Sequence, residues 1–103
     1  MDQLIKSVSD LVGEEYRRAA AEHGGAANTP HEGYALIKEE IEEAQQEMET
    51  LSQHLDHLWS VVKTDENHSC RHYADKIRQT SVLAACELIQ VAAMAYKAIA
   101  GIE

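Results

Sequence analysis

The chain has 103 residues, 45% of them hydrophobic and 26% charged, a composition typical of one folded domain rather than a disordered chain. One proline, five glycines and no phenylalanine leave too few turn residues for a sandwich or barrel, and favour long helices. Against 9 basic residues stand 18 acidic ones, and the resulting charge of −9 argues against nucleic acid as a partner because phosphate would be repelled.

The sequence favours a cytoplasmic protein without a membrane partner. Its start lacks the charged-then-apolar layout of a signal peptide, and no apolar run approaches the roughly 18 residues of a membrane span. Cys70 and Cys86 suggest no disulfide framework, so we expect both to be reduced thiols.

The first predicted helix covers about residues 2–23. Its apolar residues recur at helical spacing, namely Leu4, Ile5, Val8, Leu11 and Val12. Two glycines, Gly24 and Gly25, then indicate a helix stop and a loop.

The second predicted helix runs from about residue 30 to 63. It opens with a capping box, in which the Thr29 hydroxyl accepts from the Glu32 amide and the Glu32 carboxylate reaches back, with Pro30 at the first helical position. An apolar seam follows at steps of three and four: Tyr34, Ile37, Ile41, Ala44, Met48, Leu51, Leu55, Leu58 and Val62. Such a helix is about 50 Å long, against a radius of gyration of about 13 Å for a compact domain of this size. We therefore expect its far end to be buried in a homo-oligomer, a dimer or tetramer.

A polar connection over residues 64–69 precedes a third predicted helix over about 70–100, with Asn67 or Ser69 as its cap. Residues 81–96 are apolar almost all round, which predicts a central, buried helix. The predicted fold is all-α, with three main helices forming a bundle that oligomerisation completes. Residues 1–103 make a single domain, with an N-terminal helix (1–23) and a core helical hairpin (30–100).

Three carboxylates line one stripe of the second helix, Glu40, Glu43 and Glu47, one position before the apolar seam and hence at the edge of the core. Like charges at this spacing destabilise an isolated helix by a few tenths of a kcal/mol each. The stripe is either a solvated acidic face, partly relieved by Lys38, or a site for a cation.

Glu87 lies inside the most apolar stretch of the chain. It shares a helical stripe with Tyr73, Ile77, Thr80, Ala84, Val91, Met94 and Ala98. A buried carboxylate has to be neutral, salt-bridged or metal-bound, and Lys97 is too distant along the helix to pair with it. Glu87 is therefore protonated, hydrogen-bonded to a group such as Gln90, or a metal ligand. Oxygen ligands of this kind suit Mg²⁺ or Mn²⁺ better than zinc.

The segments His31–Glu43 and Glu87–Met94 resemble the MazG-like, all-α nucleoside triphosphate pyrophosphohydrolases, especially the short phage- and prophage-type members. The resemblance covers about residues 30–100. It implies a dimeric or tetrameric helical bundle that holds Mg²⁺ between a Glu-Glu-x-x-Glu helix and a Glu-x-x-Asp helix. It also implies cleavage of (deoxy)nucleoside triphosphates to the monophosphate and pyrophosphate, in the host cytoplasm if the gene belongs to a phage.

Matched to those motifs, Glu40, Glu43 and Glu87 stand at metal-ligand positions. Gln90 stands where the family usually has aspartate, and its amide oxygen can also ligate Mg²⁺. The attacking water would be oriented or deprotonated by Glu39 or Glu47. The substrate-binding candidates are Lys97 for phosphate and Trp59 and Tyr34 as stacking platforms, with core packing the simpler role for Tyr34.

Two alternatives to a hydrolase stay open. Gln90 favours a protein that binds a nucleotide, or a nucleotide-derived signal, without hydrolysing it, while the apolar seam by itself is compatible with a helical interaction module. The side chains of His54, His57, His68 and His72, together with Cys70, suggest a zinc site, but their spacing fits no standard motif and surface histidines are the simpler interpretation.

Overall fold

The computed structural model describes residues 1–102 and confirms the all-α prediction. Its helices are α1 (Asp2–His23), α2 (Pro30–Val62) and α3 (Asn67–Ala100). Helices α2 and α3 form a long antiparallel hairpin, and α1 packs against α3. Within the described residues α1 makes no packing contact with α2, so α3 is the middle layer of the fold.

The capping box at the start of α2 is present in modified form. The Glu32 amide donates to Thr29 Oγ1 at 3.1 Å, as the sequence predicts. The Glu32 carboxylate accepts from the backbone amide of Asn28 at 3.3 Å, one residue earlier than in the reciprocal bond of a standard box. The first bond satisfies a backbone donor that the helix itself leaves free, and the second satisfies the amide of the loop residue before the cap.

The hairpin turn is shorter than predicted, because α3 begins at Asn67. Asp65 adopts a left-handed conformation with φ of 56°, which aspartate tolerates better than most residues, and this reverses the chain at once. Neither Asn67 nor Ser69 caps the helix. Glu66 is the cap residue, and its carboxylate accepts from Ser69 Oγ at 3.2 Å.

At the other end of the hairpin, the absence of a side chain on Gly33 allows the two helices to pack closely. A Cβ on Gly33 would lie 2.9 Å from the Cβ of Ala98, so only glycine lets the first turn of α2 approach the last turns of α3 this closely. The loop after α1 is attached here as well, since the Ala27 amide donates to the Lys97 carbonyl at 3.0 Å. This packing sets the register between α2 and α3.

The chain is elongated, with a radius of gyration of 17.5 Å and extents of 58 × 29 × 23 Å. A compact domain of about 100 residues would have a radius of about 13 Å. The unbroken 33-residue helix α2 accounts for the length, as predicted.

The predicted seam of α2 is correct for four of its nine residues: Ala44 is buried, and Ile37, Leu51 and Leu58 are partly buried. Five of its members are exposed, namely Tyr34, Ile41, Met48, Leu55 and Val62. The residues one position earlier are buried or partly buried: Gly33, Glu40, Glu47, His54 and Val61. Glu40 and Glu47 of the acidic stripe are therefore partly buried on the side towards α3 while Glu43 is exposed, so the stripe lies at the edge of the core, as expected.

Helix α3 is central but not buried, contrary to the prediction. Its buried residues are Thr80, Ala84, Ala93 and Met94, while Leu83 and Leu88 are each 55% exposed. By length and composition alone α3 could cross a membrane, so the expectation that no apolar run approaches a membrane span was wrong. The core helices of soluble proteins meet the same criterion. Only 11% of its most apolar 18-residue stretch is buried in the single chain, because two partner helices cannot surround a third.

Candidate metal centre

Three carboxylates from two helices meet between α2 and α3, nearer the open end of the hairpin than its turn. Glu40 and Glu43 lie one turn apart on α2, and Glu87 lies opposite them on α3. One oxygen of each lies within 4.8 Å of the other two, a spacing at which all three could ligate one ion. The convergence of Glu40, Glu43 and Glu87 agrees with their assignment to a common site from the sequence.

Two members of the cluster, Glu40 and Glu87, hold their protons more tightly than free glutamates do. Desolvation is the main cause that raises the pKa of Glu40 above 4.5, followed by the charges of Glu43 and Glu87. Desolvation also raises the pKa of Glu87, followed by its hydrogen bond with Glu43 and the charges of Glu43 and Glu47. Each additional negative charge in the cluster is therefore resisted by those already present.

Within residues 1–102, no lysine or arginine forms a salt bridge with any of the three carboxylates. Lys38, the basic residue nearest in sequence, pairs at 3.6 Å with Glu42 on the exposed side of α2. Protonation relieves the repulsion at low pH, and a divalent cation would relieve it at neutral pH. A set of three carboxylates fits hard cations such as Mg²⁺ or Mn²⁺, which prefer oxygen ligands.

The two predicted water-orienting residues differ in position. Glu47 is partly buried on the stripe that faces α3, and its charge contributes to the raised pKa of Glu87. Glu39 is exposed on the next face of α2, although its charge still contributes to the raised pKa of Glu40. Glu47 is thus the better placed of the two to act between the helices.

Gln90 is held by α1. Its amide nitrogen donates to Glu15 Oε1 at 2.7 Å, and the same carboxylate pairs with Arg18. The bond to Arg18, followed by that to Gln90, lowers the pKa of Glu15 to about 2. These residues border a groove of about 480 Å³ between α1 and α3. The role of Gln90 as a metal ligand stays a prediction.

Sequence reasoning missed Glu15 and Arg18 because nothing in the pattern of α1 indicates which face of α3 it meets. Their i,i+3 spacing does indicate that the two can pair with each other.

The predicted substrate-binding residues do not gather at the cluster within one chain. Trp59 lies 16 residues beyond Glu43, about 24 Å along α2 at 1.5 Å per residue. Lys97 lies about 15 Å from Glu87 along α3, and its ammonium group donates to the His23 carbonyl at 3.5 Å. Tyr34 is 68% exposed, which contradicts the core-packing role.

The histidines near the hairpin turn pack as aromatic rings. The rings of His57 and His72 lie 5.3 and 5.0 Å from that of Tyr73. The Nδ1 atom of His54 is buried without a hydrogen-bond partner. Over the described part of the chain, the glutamate cluster is the one group of three or more His, Cys, Asp or Glu side chains close enough to share an ion, so the zinc hypothesis gains no support.

No known family model matches the sequence. Comparisons with curated proteins and with solved structures find no significant similarity either.

Proposed function

We propose that the protein is a Mg²⁺-dependent nucleotide pyrophosphohydrolase that cleaves (deoxy)nucleoside triphosphates to the monophosphate and pyrophosphate. The observation that carries the proposal is the convergence of Glu40, Glu43 and Glu87 from two helices without a basic partner. The resemblance of the same segments to MazG-like enzymes supplies the reaction.

In this proposal the three carboxylates hold the metal, with Mn²⁺ as a substitute for Mg²⁺. A bound divalent ion would neutralise charge on the triphosphate and on the leaving pyrophosphate. Glu47, partly buried beside Glu87, accepts a proton from the attacking water, and Glu39 is the alternative base. The proximity of Glu47 to Glu87 supports this order of preference.

A second candidate function is nucleotide binding without hydrolysis. It is favoured by Gln90, a neutral side chain where the resembled enzymes carry aspartate, and by the engagement of its amide with Glu15. Such a site would hold its cation with fewer charges, and would retain the ligand rather than turn it over.

The test is incubation with a panel of ribo- and deoxynucleoside triphosphates and Mg²⁺, with pyrophosphate release as the readout. We expect release by the wild type, loss of release in Glu40→Gln, and retention in Glu42→Gln. The latter removes a carboxylate from the exposed side of the same helix and is a matched control.

If no pyrophosphate is released, calorimetric titration with the same nucleotides distinguishes a nucleotide-binding protein from a helical interaction module. Binding without turnover would establish the second candidate. Absence of both turnover and binding would refute both proposals and leave the helical interaction module.

A further inference from the structure

Helix α1 is held against α3 by few side chains. Of the 22 residues of α1, all of which the structure describes, Val12 alone is buried, and residues 2–11 are exposed. Its other contacts with α3 include the bond from Gln90 Nε2 to Glu15 Oε1 at 2.7 Å and the packing of the Tyr16 and Tyr96 rings at 5.8 Å. Because little apolar area is buried, the docking of α1 depends strongly on individual bonds such as the one from Gln90.

Gln90 also lies within reach of the carboxylate cluster. It follows Glu87 by three residues on α3, the same separation that relates Glu40 and Glu43 on α2. Oxygens of Glu40 and Glu43 lie within 4.8 Å of each other, which shows that side chains at this spacing can share an ion. Glutamine and glutamate side chains have the same length, and residues three apart are neighbours on a helix. A change of rotamer would therefore allow the Gln90 amide oxygen to join a cation bound by the cluster.

In the structure, however, the Gln90 amide group is directed towards α1. Gln90 lines the groove of about 480 Å³ between α1 and α3 together with Glu15 and Arg18, and none of the three cluster glutamates lines that groove. Within the described residues α3 separates α1 from α2, so the side of α3 that meets Glu15 differs from the side that carries the cluster. A carboxylate only accepts hydrogen bonds, so Glu15 also fixes the amide with its nitrogen towards α1.

We propose that Glu15 competes with the bound cation for Gln90, so that docking of α1 lowers the metal affinity of the cluster. Once free of Glu15, Gln90 would supply a fourth protein ligand through its amide oxygen. Glu15 keeps its ion pair with Arg18 when Gln90 leaves, which lowers the cost of the exchange. The inference rests on the proposed metal centre and concerns the regulation of that centre rather than the reaction.

Two adjacent glutamates provide a matched pair of variants. Glu14 and Glu15 both line the groove, and replacement of either by alanine removes one negative charge from α1. Of the two, Glu15 is the one that accepts from Gln90. We expect Glu15→Ala to lower the dissociation constant for Mn²⁺, measured by calorimetry, about three- to tenfold, and Glu14→Ala to leave it within about twofold. Electrostatics alone has the opposite sign, because loss of a negative charge weakens the attraction for a cation.

Gln90→Ala tests whether Glu15 acts through Gln90. In the Gln90→Ala background, Glu15→Ala should change the dissociation constant for Mn²⁺ by less than about twofold, because no amide oxygen remains to be released. A threefold or larger tightening that persisted in the double variant would contradict the assignment of Gln90 as the residue that moves.

Hydrogen exchange gives a readout on the unmodified chain, in case Glu15→Ala fails to fold. Coupling between two sites is reciprocal, so metal binding should weaken the docking of α1 by the same factor. We expect saturating Mn²⁺ to speed exchange at the backbone amides of residues 12–18 in the wild type, and to leave it unchanged in Gln90→Ala.

The outcomes separate this inference from the proposed metal centre. Equal dissociation constants for the wild type, Glu14→Ala and Glu15→Ala would overturn the inference and leave the metal centre intact, as would unchanged exchange of α1 in the metal-saturated wild type. Weaker binding by Glu15→Ala would also overturn it, because Glu15 would then orient Gln90 towards the metal. Absence of Mn²⁺ binding in all of these proteins would refute the metal centre and the inference together.

Discussion

Glu87→Gln is the substitution that tests the carboxylate cluster most directly, because it removes a charge while keeping the side-chain shape. In the metal-free protein at pH 8, Glu87 repels both Glu40 and Glu43, whose oxygens lie within 4.8 Å. One such pair of charges repels by about 0.9 kcal/mol at the dielectric of water and about 3.5 kcal/mol at an effective value of 20. Since Glu43 is exposed, we take the lower figure.

Removal of two of the three repulsive pairs should therefore stabilise the metal-free protein by about 2 kcal/mol. For a domain of this size that corresponds to a rise in Tm of about 10 °C, measured by circular dichroism in EDTA. Glu42→Gln serves as the control and should change stability by less than about 0.5 kcal/mol, because its ion pair with Lys38 is exposed.

Bound metal should reverse the order of stability of the wild type and Glu87→Gln. Mg²⁺ at about 100 times its Kd should stabilise the wild type by about 2.7 kcal/mol, or roughly 10–20 °C, and should stabilise Glu87→Gln much less. If Glu87→Gln is no more stable than the wild type in EDTA and gains equally from Mg²⁺, the cluster is neither a centre of repulsion nor a metal site.

The raised pKa values of Glu40 and Glu87 determine how the stability of the metal-free and metal-bound protein depends on pH. A carboxyl with a raised pKa in the folded state contributes its stability below the ordinary value of 4.5 and loses it as pH rises through the raised value. The metal-free wild type should become less stable over that range. The stabilisation by Mg²⁺ should grow over the same range, because protons compete with the metal. A metal effect that is constant from pH 5 to 8 would contradict this linkage.

Four further substitutions test the packing that positions the site. Gly33→Ala should destabilise the protein by about 1–3 kcal/mol in urea unfolding, because the new Cβ would clash with α3. Gly13→Ala should stabilise the protein by about 0.5–1 kcal/mol, because only the flexible Arg17 side chain is near. Equal effects at the two glycines would refute the close approach of α2 and α3. Gln90→Ala should destabilise the protein by about 1 kcal/mol and increase proteolysis of α1, because Glu15 loses a hydrogen bond. The stability contributed by Glu15 is present above pH 4.5 and lost as pH falls towards its pKa of about 2. Glu15→Gln should therefore lose less stability than the wild type when the pH is lowered through this range.

The helices could be predicted because the sequence patterns that specify them lie within each helix and its ends. Periodic apolar residues predicted α1 and α2. The capping pattern in which Thr29 Oγ1 accepts from the Glu32 amide predicted the start of α2. The partial burial of Glu87 was predictable from its position on a mostly apolar stripe. The early start of α3 was not, because it depends on the left-handed conformation of Asp65.

The sequence by itself determined an all-α chain and placed Glu40 and Glu43 on one stripe of α2, since helical periodicity relates residues within one helix at fixed angles. Glu87 was assigned to the same site from its apolar surroundings and from the resemblance of both segments to MazG-like enzymes. The tertiary structure decided the rotation of α2 about its axis, which turned Glu40 and Glu47 towards α3 and left Ile41 and Met48 exposed. It also decided that α1 engages Gln90. Periodicity specifies a stripe but not its partner, because the close contact of Gly33 with α3, rather than the number of apolar residues, sets which side of the helix is covered.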